Sequence, residues 1–473
     1  MVQNIPITNV NFQSITRDDL DHADDQSYVT NYEKGLSEKL IRQISAEKKE
    51  PAWVLEIRLK AFAEFQKKPM PTWGPDLSNL DLDEIRYFAS PESEKNKKSW
   101  DDVDPEIKRT FERLRIPEAE KAVLAGVGAQ YDSETVYHNL KEEWSEKGVI
   151  FEDFDYAIQH YGDLVQKYFS KCIPINDHRF AALHYAIFSG GTFLYVPKGV
   201  KITQPLQAYF RMNAKNGGQF EHTLIVVEEG ADVEYIEGCS APKFGSNSLH
   251  AGGVEVFVGK NARARYSSVE NWSSDTYNLN TKRALVSEKG RMEWVGGNLG
   301  SGTTMLYPCS VLIGNQSRAE HLGVAFANAG QNQDTGAKII INGKDCRASV
   351  ISKSLSKGGG ISTYRGLLDI KKTADNAIVT VECDALMLDE YSVSDTIPHI
   401  RCENASAQIN HEASAGKISD EVLLYFQSRG IDEETAKGMI VNGFLDEIVK
   451  TLPLEYAGEL NRLIELEMEG SIG

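Results

Sequence analysis

The sequence predicts a mainly β fold, a right-handed parallel β-helix core flanked by an N-terminal helical domain and a C-terminal helical domain. From about residue 185, helical periodicity gives way to short alternating segments rich in Val, Ile, Thr and aromatic residues, separated by Gly and Asn. The turns between these segments recur at a regular interval. Each unit is too short to bury its own apolar face, so the copies are expected to stack.

The repeat has a period of about 29 residues. Aligning the turns gives one inward position in each copy, at Val233, Ala264, Met292, Ala319, Ala348, Ala377 and Ala407. One repeat per coil of a parallel β-helix accounts for this period. An antiparallel β-sandwich is the alternative, because periodic short strands with Gly turns are also typical of sandwiches.

The pattern divides the chain into three domains, with 1–184 mainly helical, 185–414 forming the β-helix core and 415–473 helical. In the first domain a helix is predicted after Pro51, and segments such as "SETVYHNLKEEW" are assigned to the same helical pattern. In the last domain a helix is predicted to end near Pro453. The C-terminal helices either cap the open end of the solenoid or offer an apolar face to a partner, and the sequence leaves both open.

Charge and hydropathy narrow the classes of partner. The formal net charge of -18 argues against nucleic acid and anionic membranes, because such a surface repels phosphate. Proteins and metal ions remain as partners. The first residues, "MVQNIPITNVNF", lack the pattern of a signal peptide, and no run reaches the roughly 18 apolar residues of a membrane span, so we expect a soluble cytoplasmic protein. The sequence has no P-loop, GxSxG or HExxH motif.

The cysteines carry the first functional indication. There are six, without a CxxC pair, which is unlike a disulfide framework or a structural zinc site. The repeat places Cys239 and Cys383 at equivalent positions five coils apart, so their sulfur atoms are expected ~24 Å from each other, too far for a disulfide. The equivalent positions between them are small or polar, which predicts a lined passage. These positions are Glu270, Asn298, Ala325 and Ser354.

Cys239 differs from the other cysteines in its setting. It lies in the segment "YIEGCSAP", at the predicted end of a strand, where a thiol is accessible to another protein. Accessible thiols near backbone amides are the reactive ones. We therefore expect Cys239 to be reactive.

Ligand-type residues cluster near the end of the repeat. Cys383 lies in one coil, and Cys402, His411 and Glu412 lie in the next. Thiolate, imidazole and carboxylate groups suit iron, zinc or an iron-sulfur cluster. Their scattered spacing favours an open or transient site completed by a partner chain. Small core cysteines and a hydrogen-bonded histidine are the alternative that the spacing leaves open.

Several longer segments resemble one family. The stretches "YIEGCSAP", "VENW", "VECDALML" and "INHEASAGKISDEVLLYFQSRGI" are similar to the SufB/SufD family of iron-sulfur cluster assembly proteins, and the similarity runs over nearly the whole chain. The combination of Cys239, Cys383 and the dipeptide His411–Glu412 favours the SufB type, a scaffold, over a SufD-like adaptor. The resemblance implies a non-enzymatic scaffold within a complex whose ATPase activity resides in a partner.

The resemblance also implies the partners. It predicts that SufC, an ABC-type ATPase, docks on the C-terminal helices, and that SufD or a second copy of the chain pairs through the β-helix. A cysteine desulfurase or its sulfur carrier would deliver sulfur, and apo-proteins would accept the finished cluster. No nucleic acid and no membrane are expected. A polysaccharide-acting β-helix enzyme is a weaker alternative, because no secretion signal accompanies the repeat.

By the same resemblance, Cys239 receives sulfur as a persulfide, while Cys383, His411 and Glu412 hold iron in a transient cluster, expected to be 4Fe-4S. Cys402 is a further candidate metal ligand. The implied sulfur path is lined by Arg211, Asn213, Glu270, Trp272 and Lys282. Glu270 departs from the glutamine that the resemblance leads us to expect at its position. A flavin is compatible with the resemblance, but no motif indicates where it would bind.

Overall fold

The computed structural model describes residues 16–23, 28–91, 97–113, 124–245, 247–450 and 454–469. The predicted helix end at Pro453 and the first residues of the chain lie outside these ranges. The described helices are α1 Arg17–Asp21, α2 Glu38–Glu47, α3 Ala52–Lys67, α4 Pro105–Arg113, α5 Glu142–Ser145, α6 Phe154–His160, α7 Gly162–Tyr168, α8 Arg179–Ile187, α9 Asp420–Gln427, α10 Glu433–Val449 and α11 Leu454–Glu469. A short 3-10 helix covers Trp100–Asp102.

The described strands follow in chain order. They are β1 Tyr28–Asn31, β2 Ala89–Pro91, β3 Gly126–Tyr131, β4 Glu134–Leu140, β5 Ile150–Asp153, β6 Gly191–Val196, β7 Leu206–Arg211, β8 Gly218–Gln219, β9 His222–Val227, β10 Asp232–Ser240, β11 Ser248–His250, β12 Gly253–Val258, β13 Arg263–Asn271, β14 Thr276–Asn278, β15 Thr281–Val286, β16 Arg291–Leu299, β17 Thr303–Leu306, β18 Cys309–Leu312, β19 Arg318–Ala327, β20 Asn332–Ile341, β21 Arg347–Ser356, β22 Ile361–Ile370, β23 Ile378–Met387, β24 Val393–Cys402 and β25 Gln408–Lys417.

Two facing sheets form a parallel β-solenoid of about eight turns. The first sheet has the order β25-β23-β21-β19-β16-β13-β10-β7-β3-β4, and the second runs from β5 through β6, β9, β12, β15, β18, β20 and β22 to β24. Successive coils pair in parallel, whereas β3–β4 and β5–β6 are antiparallel. The predicted parallel solenoid is confirmed, and the antiparallel sandwich is excluded.

The predicted register holds for five coils and then fails by two residues. Val233, Ala264, Met292, Ala319 and Ala348 pair in succession. The next partners in this row are Val379 and Ile409, where the repeat predicted Ala377 and Ala407. The cause is the connection 371–377, which is two residues longer than the corresponding connection 342–346. Cys383 is therefore not equivalent to Cys239, although five strand steps separate them as predicted.

The N-terminal region combines helices with strands that extend the solenoid. The helix predicted after Pro51 is α3, and it packs with α8 in an apolar cluster that includes Leu224 and Val226 on the outer face of the second sheet. The helix predicted for "SETVYHNL" is wrong, because Glu134–Leu140 forms β4 beside β3. Its β-branched and aromatic residues favour a strand. The division into three domains stays a prediction, with the 184/185 boundary falling inside α8.

The C-terminal helices lie along the side of the solenoid. Leu460, Leu463 and Ile464 of α11 share a buried cluster with Val269 and Leu299 on the outer face of the first sheet. Strands β24 and β25 are consequently almost fully exposed, so the helices do not cover the last coil. Among the described residues, no helix is both long and apolar enough to cross a membrane.

Candidate metal centre and interior passage

Cys383 and His411 form the closest pair of predicted ligands. Cys383 Sγ lies 3.9 Å from His411 Nε2, across the step from β23 to β25. Both side chains belong to the inward row of their strands, and Cys383 is buried. Burial raises the pKa of Cys383 to about 12, so the group is a thiol at neutral pH. Binding a metal there would therefore release a proton.

The other two predicted ligands lie elsewhere in the last coil. Glu412 follows His411 directly and so points to the opposite face of β25, where its Oε1 accepts a hydrogen bond of 3.2 Å from Asn410 Nδ2. Cys402 ends β24 in the other sheet, exposed, with its thiol 3.3 Å from the Asn404 carbonyl oxygen. Within the described ranges, no three His, Cys, Asp or Glu side chains are grouped to hold a metal ion. The structure thus brings Cys383 and His411 together but not the full predicted set.

Cys239 is buried, which contradicts its predicted accessibility. Its side chain is 1% exposed, because β10 continues through Ser240 and turns the thiol inward. The thiol lies 4.0 Å from Glu237 Oε1. Burial and the neighbouring carboxylates of Glu237 and Glu270 raise the pKa of Cys239 well above its usual range. In this state the residue is a poor nucleophile.

A buried ion pair lies one coil beyond Cys239. Glu270 is the register partner of Cys239, and its Oε1 accepts a hydrogen bond of 2.6 Å from Lys282 Nζ. Lys282 also donates to Ser268 Oγ at 3.2 Å, and Asn278 Nδ2 donates to Glu270 Oε2 at 2.6 Å. Burial opposes ionisation of Glu270, but Lys282 and then His250 bring its pKa below the ordinary value. The predicted interior positions of these two residues are thus occupied by opposite charges.

Glu237 is a buried carboxylate that the sequence reasoning missed. It accepts hydrogen bonds from the hydroxyls of Tyr266 at 2.5 Å, Thr223 at 3.2 Å and Tyr235 at 3.3 Å. Burial raises its pKa. An acid four residues after the inward Val233 lies on the same face of β10, and that spacing was the available signal.

An interior cavity extends from this polar region to β21 and β22, one strand step before Cys383. Its volume is about 60 Å³, and its lining runs from Glu270 and Lys282 to Tyr364. The row of residues in register with Cys383 is short or polar along this stretch, which leaves the space open. This row consists of Glu237, Ser268, Gly296, Gly323, Ser352 and Cys383. An added Cβ atom at Gly323 would meet nothing within 4 Å.

The other residues predicted to line the sulfur path do not all lie inside the solenoid. Trp272 is buried in the interior cluster with Cys239, and its ring centroid lies 4.1 Å from that of His250. Arg211, next to the inward Phe210, faces outward and donates to Ser240 Oγ at 3.0 Å and the His22 carbonyl oxygen at 2.8 Å. Asn213 follows the end of β7, and its backbone N–H donates to Asp132 Oδ1 at 2.6 Å. Arg211 therefore secures the N-terminal segment to the solenoid.

Comparisons with known proteins agree with this architecture. The chain matches the SufBD core domain of the SUF iron-sulfur cluster assembly system over residues 210–444 and the SufBD N-terminal region over residues 24–208. An iron-sulfur cluster assembly SufBD family protein of Staphylococcus aureus is 52% identical over 452 residues, which covers 96% of this chain and 97% of that protein. A family member from Staphylococcus saprophyticus is 51% identical over the same shares of the two chains. The chain therefore belongs to the SufBD family of iron-sulfur cluster assembly proteins.

Proposed function

We propose that the chain is a SufB-type scaffold, which accepts sulfur at Cys239 and builds a transient iron-sulfur cluster at Cys383. The observation that carries this proposal is the short, polar interior row that ends at Cys383, together with the cavity beside it. A packed solenoid core would place Val, Leu and Ile there. A row of Ser and Gly between a buried carboxylate and a thiol instead leaves room for a small polar species.

Sulfur acceptance at Cys239 is a thiol–persulfide exchange. The Cys239 thiolate attacks the terminal sulfur of a carrier persulfide, a new S–S bond forms at Cys239, and the carrier leaves as a thiolate. Glu237, whose Oε1 lies 4.0 Å from Sγ, is placed to take the thiol proton. Because Cys239 is buried, the exchange requires a state in which this coil opens. We assign the opening to strain from ATP binding by the SufC partner.

Movement to Cys383 follows from the residues between the two thiols. The interior row offers no cysteine between β10 and β23, so sulfur cannot pass from thiol to thiol. A dithiol reductant would take up the outer sulfur of the Cys239 persulfide and release it as hydrosulfide, which leaves Cys239 as a thiol and the reductant as a disulfide. The cation of Lys282 lies at the start of the cavity, where it would stabilise that anion.

Cluster assembly would take place at the last coil. Cys383 and His411 supply two ligands, and an incoming chain supplies the others, while Glu412 and Cys402 lie on exposed positions elsewhere in the last coil. In the described chain, β24 and β25 have no neighbour on their outer edges, which suits pairing with SufD or with a second copy. Leu424, 66% exposed in α9, lies in the region assigned to SufC. The finished cluster would then pass to an apo-protein.

Anaerobic reconstitution tests the cluster site. The chain, alone and co-expressed with its partners, is incubated with ferrous iron and free sulfide, and visible charge-transfer absorption and acid-labile sulfide are measured. The wild type should form a coloured cluster, Cys383→Ser should not, and Cys346→Ser, a buried cysteine at a turn of another coil, should behave like the wild type. Colour retained in Cys383→Ser would contradict the site.

The sulfur-acceptance role is tested separately by the source of sulfur. Cys239→Ser should form the cluster with free sulfide but not with a cysteine desulfurase and cysteine, because free sulfide bypasses the acceptance step. Equal cluster yields from both sources would contradict the role of Cys239. A colourless wild-type complex would instead fit a SufD-like adaptor.

A further inference from the structure

A second, larger cavity lies outside the solenoid interior. It has a volume of about 550 Å³, within the usual range for small-molecule sites of roughly 300–1,000 Å³. Its walls are the loop after α3, the start of α8 and the outer face of β15, β18 and β20. This cavity takes no part in the proposed sulfur path, because the strands of the second sheet separate its floor from the solenoid interior.

The charge of the cavity is opposite to that of the molecule. The chain carries a net charge of -18. Setting aside Lys282, whose side chain turns inward to Glu270, the charged lining residues comprise four cations and one acid. They are Lys68, Arg179, Arg283, Lys338 and Asp177. A concentration of cations in an acidic protein attracts anions to this cavity.

Within the described part of the chain, Lys68 and Lys338 are the lining cations without a carboxylate in salt-bridge contact, and Lys338 is the one that lies beside aromatic rings. Arg283 is already paired with Asp177 at 2.6 Å, and Arg179 donates to the Phe65 carbonyl oxygen at 3.0 Å. Lys338 is half-buried, and among the described residues no carboxylate is in salt-bridge contact with its Nζ. Burial lowers the pKa of Lys338, a cost that an anion beside Nζ would offset.

Two aromatic rings stand beside this cation. Lys338 Nζ lies 5.0 Å from the ring centroid of Tyr307 and 5.9 Å from that of Trp73. Trp73 is 47% exposed, and its ring lies 5.7 Å from Tyr307. Arg365 Cζ lies 5.4 Å from the same indole centroid, and the exposed remainder of the ring offers a stacking surface for a planar ring at the rim of the cavity.

From this arrangement we infer that the cavity binds a nucleoside monophosphate, with the phosphate at Lys338 and the base against Trp73. The phosphate would form charge-assisted hydrogen bonds with Nζ. The base would occupy the apolar wall that Met305, Tyr307 and Leu279 provide. The site does not include Cys239 or Cys383, so a test of nucleotide binding is independent of the proposed scaffold function.

Isothermal titration calorimetry of the full chain tests the site, with AMP, GMP and UMP as probes and with adenosine and inorganic phosphate as the two halves. At least one nucleotide should bind more tightly than either half, and Lys338→Met should weaken that binding by about tenfold or more. Trp73→Leu should weaken the binding of the nucleotide but not the binding of inorganic phosphate. Raising the salt concentration should weaken nucleotide binding, because salt screens the attraction between the phosphate and Lys338.

Lys344→Met is the matched control. Lys344 is exposed and paired with Asp375 at 2.9 Å, outside the cavity, so this variant should bind like the wild type. Thermal melting verifies that each variant is folded. The inference is overturned if no nucleotide binds below about 1 mM, if phosphate or adenosine binds as tightly as the nucleotide, or if Lys338→Met binds like the wild type.

Discussion

At the scale of single residues, Glu270 and Lys282 show what a buried ion pair costs when it is broken. Lys282→Met leaves the Glu270 carboxylate buried without its cation, and we expect the free energy of unfolding to fall by about 3–5 kcal/mol. The double variant Glu270→Gln with Lys282→Met removes both charges and should recover most of this loss. Urea unfolding measures the free energy of unfolding of the single and double variants. A double variant as unstable as the sum of the single variants would contradict the coupling.

The sequence could predict the position of a side chain where strand alternation decides whether it faces the inside or the outside of the solenoid. Cys383 and His411 are close because both are inward residues of neighbouring coils. Glu412 could have been excluded by the same rule, since it directly follows His411. The burial of Cys239 could not be predicted from the local sequence. It depends on β10 continuing through Gly238, a residue that suggested a turn.

At the scale of elements, the row of short side chains along the first sheet gives a direct test of the passage. Gly323→Val adds a side chain at a position with free space, so we expect little change in melting temperature. The variant should still assemble a cluster from free sulfide but lose assembly when a cysteine desulfurase supplies the sulfur, because the cavity is filled.

Gly323→Ala is the control for this experiment, since a single methyl group leaves most of the cavity open. Cluster yield from the desulfurase should fall in the order glycine, alanine, valine. A valine variant that assembles normally with the desulfurase would place the sulfur path elsewhere.

The elements themselves were predictable where the repeat is regular. Seven turns with similar spacing indicated stacked coils, and the pairing of Val233 through Ala348 agrees with that alignment. The alignment failed at 371–377 because a longer connection changes the spacing without changing the turn composition. Strand β4 was assigned to a helix because the charged residues that follow it continue a helical pattern, while its pairing with β3 is a tertiary effect.

At the scale of the whole molecule, the uncovered last coil predicts where association occurs. Ile400 on β24 is 46% exposed because no further coil stacks on it. Ile400→Asp should abolish both self-association and one-to-one pairing with a co-expressed SufD-type partner, since it places a charge in an apolar contact. Light scattering coupled to size-exclusion chromatography measures the mass. Ile313→Asp is the control, because Ile313 is similarly exposed, at 47%, but lies at a turn away from this end. Unchanged pairing in Ile400→Asp would contradict the prediction.

The two ends of the solenoid differ in a way that limits how far such association can proceed. At the other end, β3–β4 and β5–β6 run antiparallel, β4 is mostly buried, and Lys97 bridges it at Tyr137, so this end is covered where the last coil is open. An end that stacks only on a like end forms a closed pair and cannot polymerise head to tail. A pair formed through the last coil would therefore be closed, even though the chain carries the strand-rich repeat that is typical of fibre-forming proteins.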